Sequence, residues 1–309
     1  GAAAWYPAND HPRDKATYTF RITVAKPYVV AANGLLRDMI DNGGTRTYVW
    51  EAANPLASYL ATVNIGRFVE QTGQGPHGLP IHNYFPPEVA ANARAVFAPT
   101  ATMIDYFDDL FGPYPFEAYG VAVADRDLGF ALETQTLSVF GRDLASAPPE
   151  LAESTVAHEL AHQWFGDSVS VANWQDIWLN EGFATYAEWL WQEHVAGPKA
   201  RDDSIRQVYR SVEGAPPPGR PPRDNLFNGG VYGRGALTLH ALRLRVGDNT
   251  FFRTLRTYAE RYHYGNASTA DFMAVAEEVS QQDLGALFDG WLYAKQMPEI
   301  SELGLKPSR

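Results

Sequence analysis

The chain has 309 residues, 45% hydrophobic and 20% charged, enough apolar side chain to bury one large core or two. Acidic residues outnumber basic ones 36 to 25, and the net charge of −11 disfavours nucleic acid or an anionic membrane as main partner, since both need a basic footprint. Without cysteine there are no disulfides and no thiolate metal sites, and no window approaches the ~18 uncharged apolar residues of a membrane span. Residues 1 to 5 carry neither the basic start nor the apolar core of a signal peptide, and nothing in the composition assigns a compartment.

Residues 5 to 70 read as β structure. Thr17 to Val24 alternates at period two, and Val29 to Leu36, Thr45 to Ala53 and Leu60 to Val69 follow at hairpin-like intervals, with turns at Asn33-Gly34 and Asn42-Gly43-Gly44. Gln71 to Pro80 is rich in Gly and Pro and marks an expected boundary between residues 1–70 and 71–309. Beyond it, Glu88 to Phe111 has helical periodicity, whereas Tyr119 to Ala124 and Phe130 to Phe140 read as strands. From Leu151 onwards the pattern is nearly all helical: 151–165, 176–195, 200–212, 231–246, 248–262, 269–280 and 284–294. Strands first and helices after give an α+β fold. The prolines between Gly214 and Arg223 predict a stiff, extended connection, better read as a surface connector than as the rim of a site.

One stretch carries chemistry. In His158-Glu159-Leu160-Ala161-His162 the two histidines lie four apart, ~40° from each other around a helix axis, so both imidazoles can reach one cation. Glu181, in Trp178-Leu179-Asn180-Glu181-Gly182, supplies a third ligand. Two neutral imidazoles and a carboxylate are the ligand set of a hydrolytic zinc site, one ion per chain, with the fourth position open to a water that the metal acidifies. Glu159 is placed to act as that water's base. Glu188, seven residues past Glu181 on the same helix face, is a candidate to orient a metal-binding histidine. The histidines at 11, 77, 82, 194, 240 and 263 have no ligand spacing and read as structural or surface residues. Asn266-Ala267-Ser268 has the form of a glycosylation acceptor, but a loop followed by a Ser268 helix cap explains it better.

His158 to His162, with Trp178 to Ala184 at the eighteen-residue gap, resembles the aminopeptidase N family of zinc metallopeptidases, relatives of leukotriene hydrolase. Three further segments resemble that family in the expected order. Gly129-Phe130-Ala131-Leu132-Glu133-Thr134 is similar to its exopeptidase strand, Val231-Tyr232-Gly233-Arg234-Gly235-Ala236 to its Y-x-K-G-A segment, and Trp5 to Ala16 to a stretch of its amino-terminal β domain. The resemblance implies a partial amino-terminal β-sheet domain followed by a thermolysin-like catalytic domain. It implies peptide substrates with a free amino terminus, their ammonium held by Glu133 on a strand where Gly129 and Ala131 help to line the pocket for the first side chain. It further implies that Tyr232 donates to the oxyanion and that Glu159 passes a proton from the zinc-bound water to the leaving amine.

The sequence departs from the family pattern at Ala131-Leu132, at Thr134, where the family usually has Asn, and at Arg234, where it usually has Lys. The charges at Glu133 and Arg234 are kept. Because the matched β stretch starts at Trp5, an upstream segment or a second chain is expected to complete that domain. Nothing resembling the family's carboxy-terminal helical domain follows Pro298, so longer peptides are expected to enter. A thermolysin-like zinc endopeptidase shares the ligand set, with Glu133 as the feature against it; a non-catalytic scaffold is the alternative from another class.

Overall fold

The computed structural model describes residues 2–308. The chain forms two compact units, one of Gly1–Asp108 with Pro113–Gln163, the other of Asp109–Gly112 with Trp164–Arg309.

The first unit begins with β1 (Lys15–Ala25), β2 (Val29–Ala32), β3 (Leu35–Asp41) and β4 (Thr45–Ala57). β1, β4 and β3 make an antiparallel three-stranded sheet, and the alternation read along Thr17 to Val24 appears as alternately exposed and half-buried side chains. The stretch read over residues 29–36 forms two strands, divided at the turn expected at Asn33-Gly34. Gly34 has φ +84°, and a Cβ there would lie 2.0 Å from the Glu51 carbonyl oxygen, so the chain turns where only glycine fits. β2 pairs with β5 (Val63–Gly66).

A five-stranded mixed sheet follows, ordered β6 (Val69–Gln74), β7 (Pro80–Phe85), β8 (Tyr119–Val123), β10 (Ser138–Phe140) and β9 (Ala131–Leu132). β8 lies between two parallel neighbours, and all five of its residues are buried, as its unbroken apolar run requires. Residues 71–74, in the segment read as a boundary, continue β6 and pair with β7. The strand expected over 130–140 is a hairpin: β9 and β10 pair antiparallel around a turn in which Thr136 has φ +66° and the Thr134 carbonyl accepts from Leu137 N at 2.9 Å. The helix expected over 88–111 is α1 (Ala90–Val96) and α2 (Thr100–Phe111), divided at Pro99, which has no N–H and cannot continue a helix. α3 (Pro149–Ala161) closes the unit and packs against α1 and β9. Val30, Tyr48, Trp50, Tyr84, Ala122 and Leu137 form one buried cluster that joins the amino-terminal strands to the five-stranded sheet.

The second unit is built on α4 (Trp178–Ala196), of which Trp178 to Ala187 are all buried. β11 (Ser170–Val171) precedes it; α5 (Pro198–Ser211), α6 (Gly235–Val246), α7 (Asp248–Arg261), β12 (Asn266–Ala267), α8 (Thr269–Ser280) and α9 (Gly285–Phe288) follow. Phe165, Trp178, Phe183, Tyr258 and Phe272 make an aromatic core with ring centroids 4.6–6.3 Å apart. The helices expected over 231–246 and 284–294 contain five-residue π-helical turns, Gly230–Arg234 and Asp289–Tyr293. The proline-rich connection is pinned to the second turn: Gly219 N donates to the Leu292 carbonyl at 2.9 Å, and the Arg220 guanidinium lies 5.3 Å from the Tyr293 ring centroid. Ser268 caps α8, as read from the sequence, and does so in a reciprocal capping box with Asp271; Asn266 and Ala267, read as loop, pair as β12 with β11. Among the described residues, no helix is long and apolar enough to cross a membrane.

Candidate metal centre

α3 opens with Pro149 in its first turn, where the missing N–H costs no helical bond. Its carboxy-terminal half, from Val156, is buried except for the half-buried His158. Enclosure on this scale leaves the polar side chains no solvent face, so their partners must be internal. His158 and His162 stand one turn apart with ring centroids 4.8 Å apart, and Glu159 and His162 are 6% and 1% exposed. The helix ends at His162, whose N–H still donates to the His158 carbonyl at 3.3 Å.

Glu181 lies in the first turn of α4 and is 5% exposed. The start of that helix is held by Asp176, whose carboxylate accepts from Thr269 N at 3.0 Å and Thr269 Oγ1 at 2.8 Å, and by the Trp178 indole, which donates to the same hydroxyl at 2.9 Å. One ligand atom each from His158, His162 and Glu181 lie within 4.8 Å of one another. A set of two imidazoles and one carboxylate fits zinc better than the all-oxygen cations.

Glu133 directly follows β9, the edge strand of the five-stranded sheet, and is half-buried. Ala131 pairs with Phe140 across the hairpin. Asp143 accepts from the backbone N–H groups of Leu128 at 3.1 Å and Gly129 at 3.3 Å, fixing the approach to the strand. The Thr134 hydroxyl donates to the Leu137 carbonyl inside the turn.

Tyr232 sits half-buried in the π-helical turn before α6. Such turns widen a helix locally and re-aim side chains. Two contacts hold it. A Cβ on Gly182 would lie 2.9 Å from Gly235 Cα, so α4 and α6 meet backbone to backbone and the glycines of two separate sequence motifs are explained by one approach. Arg234, 1% exposed, donates from Nε to the Trp291 carbonyl at 2.7 Å and from Nη2 to those of Gly290 at 2.9 Å and Ala294 at 2.6 Å. Burial lowers its pKa, and three carbonyls take the place of a carboxylate. Glu188 lies two turns beyond Glu181 on α4, half-buried.

Gln163, which belongs to none of the motifs above, is fully buried and hydrogen-bonds the Glu133 hairpin; its one signal in the sequence is a polar residue directly after His162 in an apolar run. The structural work of Arg234, Asp143 and the Gly182–Gly235 contact has no local sequence signal, because each depends on pairings distant in sequence.

The profile of the Peptidase family M1 domain matches residues 97–291, and that of the Peptidase M1 N-terminal domain matches residues 1–60. Human glutamyl aminopeptidase is 29% identical over 327 residues, covering 97% of this chain and 34% of its own. Aminopeptidase N of Streptomyces lividans is 29% identical over 314 residues, covering 92% of this chain and 36% of its own. The chain thus spans about a third of the length of these relatives. Among solved structures, a two-domain M1 zinc metallopeptidase bound to L-arginine superposes with a TM-score of 0.84 at 31% identity, covering 100% of this chain and 70% of that one. The M1 zinc metallopeptidase from Deinococcus radiodurans gives 0.80 at 32% identity, covering 96% and 68%. Matched over most of its length in sequence and fold, the chain belongs to peptidase family M1.

Proposed function

We propose that the protein is a zinc-dependent aminopeptidase that hydrolyses the first peptide bond of peptides with a free amino terminus. The observation that carries this reading is the group of half-buried His158 with buried His162 and Glu181, Glu159 lying on the same helix as the histidines, together with half-buried Glu133 on the hairpin against which that helix packs. His158, His162 and Glu181 would hold the ion, with Glu188 orienting one of the histidines. Zinc bound there would supply Lewis acidity towards a water molecule and towards the scissile carbonyl.

The chain's own residues account for the remainder. Glu159 takes the proton from the attacking water and delivers it to the leaving amine, a task suited to a carboxylate in a desolvated position. Tyr232 donates its hydroxyl to the carbonyl oxygen as negative charge develops there. Glu133 pairs with the substrate's α-ammonium, and Gly129 and Ala131 help to shape the pocket for the first side chain. An N-blocked peptide would leave the carboxylate of Glu133 unpaired, and such a loss discriminates strongly.

The reading is tested by metal analysis and turnover on one preparation. About one zinc per chain is expected, with hydrolysis of an aminoacyl amide abolished by a chelator and restored by zinc. A zinc-free protein that still turns over, or a zinc-loaded protein that does not, contradicts it.

A further inference from the structure

The residue after the second histidine reaches back to the hairpin that carries Glu133. Gln163 is fully buried. Its Oε1 accepts from Thr136 N at 2.8 Å and from the Tyr114 hydroxyl at 3.2 Å, and its Nε2 donates to the Glu133 carbonyl at 3.0 Å. The orientation of the carboxamide is settled by its partners, because a peptide N–H can only donate and a peptide carbonyl can only accept.

The same turn is gripped from its other side. Thr136 Oγ1 accepts from Gly34 N at 2.7 Å, and Asn33 Nδ2 donates to the Gln135 carbonyl at 2.6 Å. Asn33 is itself fully buried, and its Oδ1 accepts from Thr62 N at 2.6 Å. Thr136 stands at φ +66°, a conformation a β-branched residue adopts only when its surroundings impose it. The hairpin tip is therefore an over-determined element, held by the amino-terminal strands on one flank and by Gln163 on the other.

We propose that Gln163 is a positioning residue that sets the register between Glu133 and the metal-ligand helix, and thereby confines cleavage to the first peptide bond. The inference rests on the aminopeptidase reading above. From His162 the path runs through one rigid peptide unit, one side chain and one hydrogen bond to the peptide of Glu133. A substrate gripped by its ammonium at Glu133 and by its first carbonyl at the metal spans one residue, a Cα-to-Cα step of about 3.8 Å. A displacement of about 1 Å in either grip is a large fraction of that step and is enough to cost roughly a hundredfold in rate. The Asn33 and Gly34 contacts hold the turn without fixing it to the ligand helix; Gln163 does both.

Gln163→Met keeps the side-chain volume and removes both polar ends. The experiment compares it with the parent and with Glu133→Gln, reading zinc content, melting temperature, kcat and KM for an aminoacyl amide and its N-acetyl form, and calorimetric binding of a free L-amino acid to the zinc-loaded protein. Gln163→Met is expected to retain zinc, to raise KM for the free-amine amide roughly tenfold, to weaken amino-acid binding by a similar factor and to reduce the preference over the N-acetyl form roughly tenfold, with kcat changed less. Unchanged preference, or a fall in kcat with KM and amino-acid binding unaltered, overturns the proposal. Should Gln163→Met fail to fold, Gln163→Asn, too short to reach the Glu133 carbonyl, decides by the same readouts. If Glu133→Gln keeps the parent's preference, the amine-anchor reading itself fails, an outcome separate from any behaviour of Gln163.

Discussion

The buried His240 gives the second unit a titration that can be worked through in numbers. It lies on α6, 2% exposed, with Nδ1 3.4 Å from the Tyr186 hydroxyl. Burial chiefly, and then the positive charges of Arg201 and Arg243, lower its pKa from 6.5 to about 4; Asp202 and Asp248 oppose them. The two arginines are fixed: Arg243 grips both Asp248 oxygens at 2.9 Å and Glu193 at 2.7 Å, and Arg201 meets the same Glu193 at 2.5 Å and Asp202 at 2.8 Å. A pKa lowered by folding means that the unfolded chain binds the proton more readily. The stability contributed by neutral His240 is thus full above pH 6.5 and is lost as pH falls towards 4. Between pH 7 and pH 4.5 the linkage relation gives a loss of about 2 kcal/mol from this residue alone. Urea unfolding of the parent and of His240→Asn, both with chelator so that acid release of metal is common to the two, isolates that loss. The parent is expected to lose about 2 kcal/mol more than the variant over this interval. Equal losses would refute the argument, because they would mean that His240 is protonated at the same pH in both states.

Three other perturbations have defined outcomes. Glu159→Gln is expected to keep its zinc while kcat falls roughly a thousandfold, checked by metal analysis and steady-state kinetics; retained turnover would remove Glu159 as the base. Gly182→Ala forces a methyl group against the Gly235 backbone, which has no side chain to move aside, and should destabilise the protein by about 1–3 kcal/mol in denaturant unfolding. Arg234→Met leaves the carbonyls of Gly290, Trp291 and Ala294 without their buried donor and should cost about 2–4 kcal/mol, with Arg234→Lys recovering part of it.

The candidate metal ligands were legible because a helix period and a fixed ligand chemistry act over short range: His158 and His162 needed only one turn of α3, and Glu181 needed only to open the next long helix. The alternation of β1 and the continuous apolar run of β8 were legible for the same reason, since each strand's burial is written in its own residues. Elements failed where a neighbour distant in sequence decides the conformation. The stretch 130–140 reads as one strand until Gln163, Asn33 and Gly34 bend it at Thr136. The π-helical turn at Tyr232 depends on Arg234 finding carbonyls nearly sixty residues away. The role of Gln163 was unreadable because a lone polar residue in an apolar run states that it needs partners and not which ones.

The central claim is that cleavage is directed by a carboxylate that recognises a free amino terminus. It is tested most directly by kcat/KM of the zinc-loaded protein on an aminoacyl chromogenic amide and on the same amide N-acetylated. The free-amine substrate is expected to be cleaved at least a hundredfold faster, with the difference lost in Glu133→Gln. Equal rates on the two substrates would contradict the account and make the protein an endopeptidase.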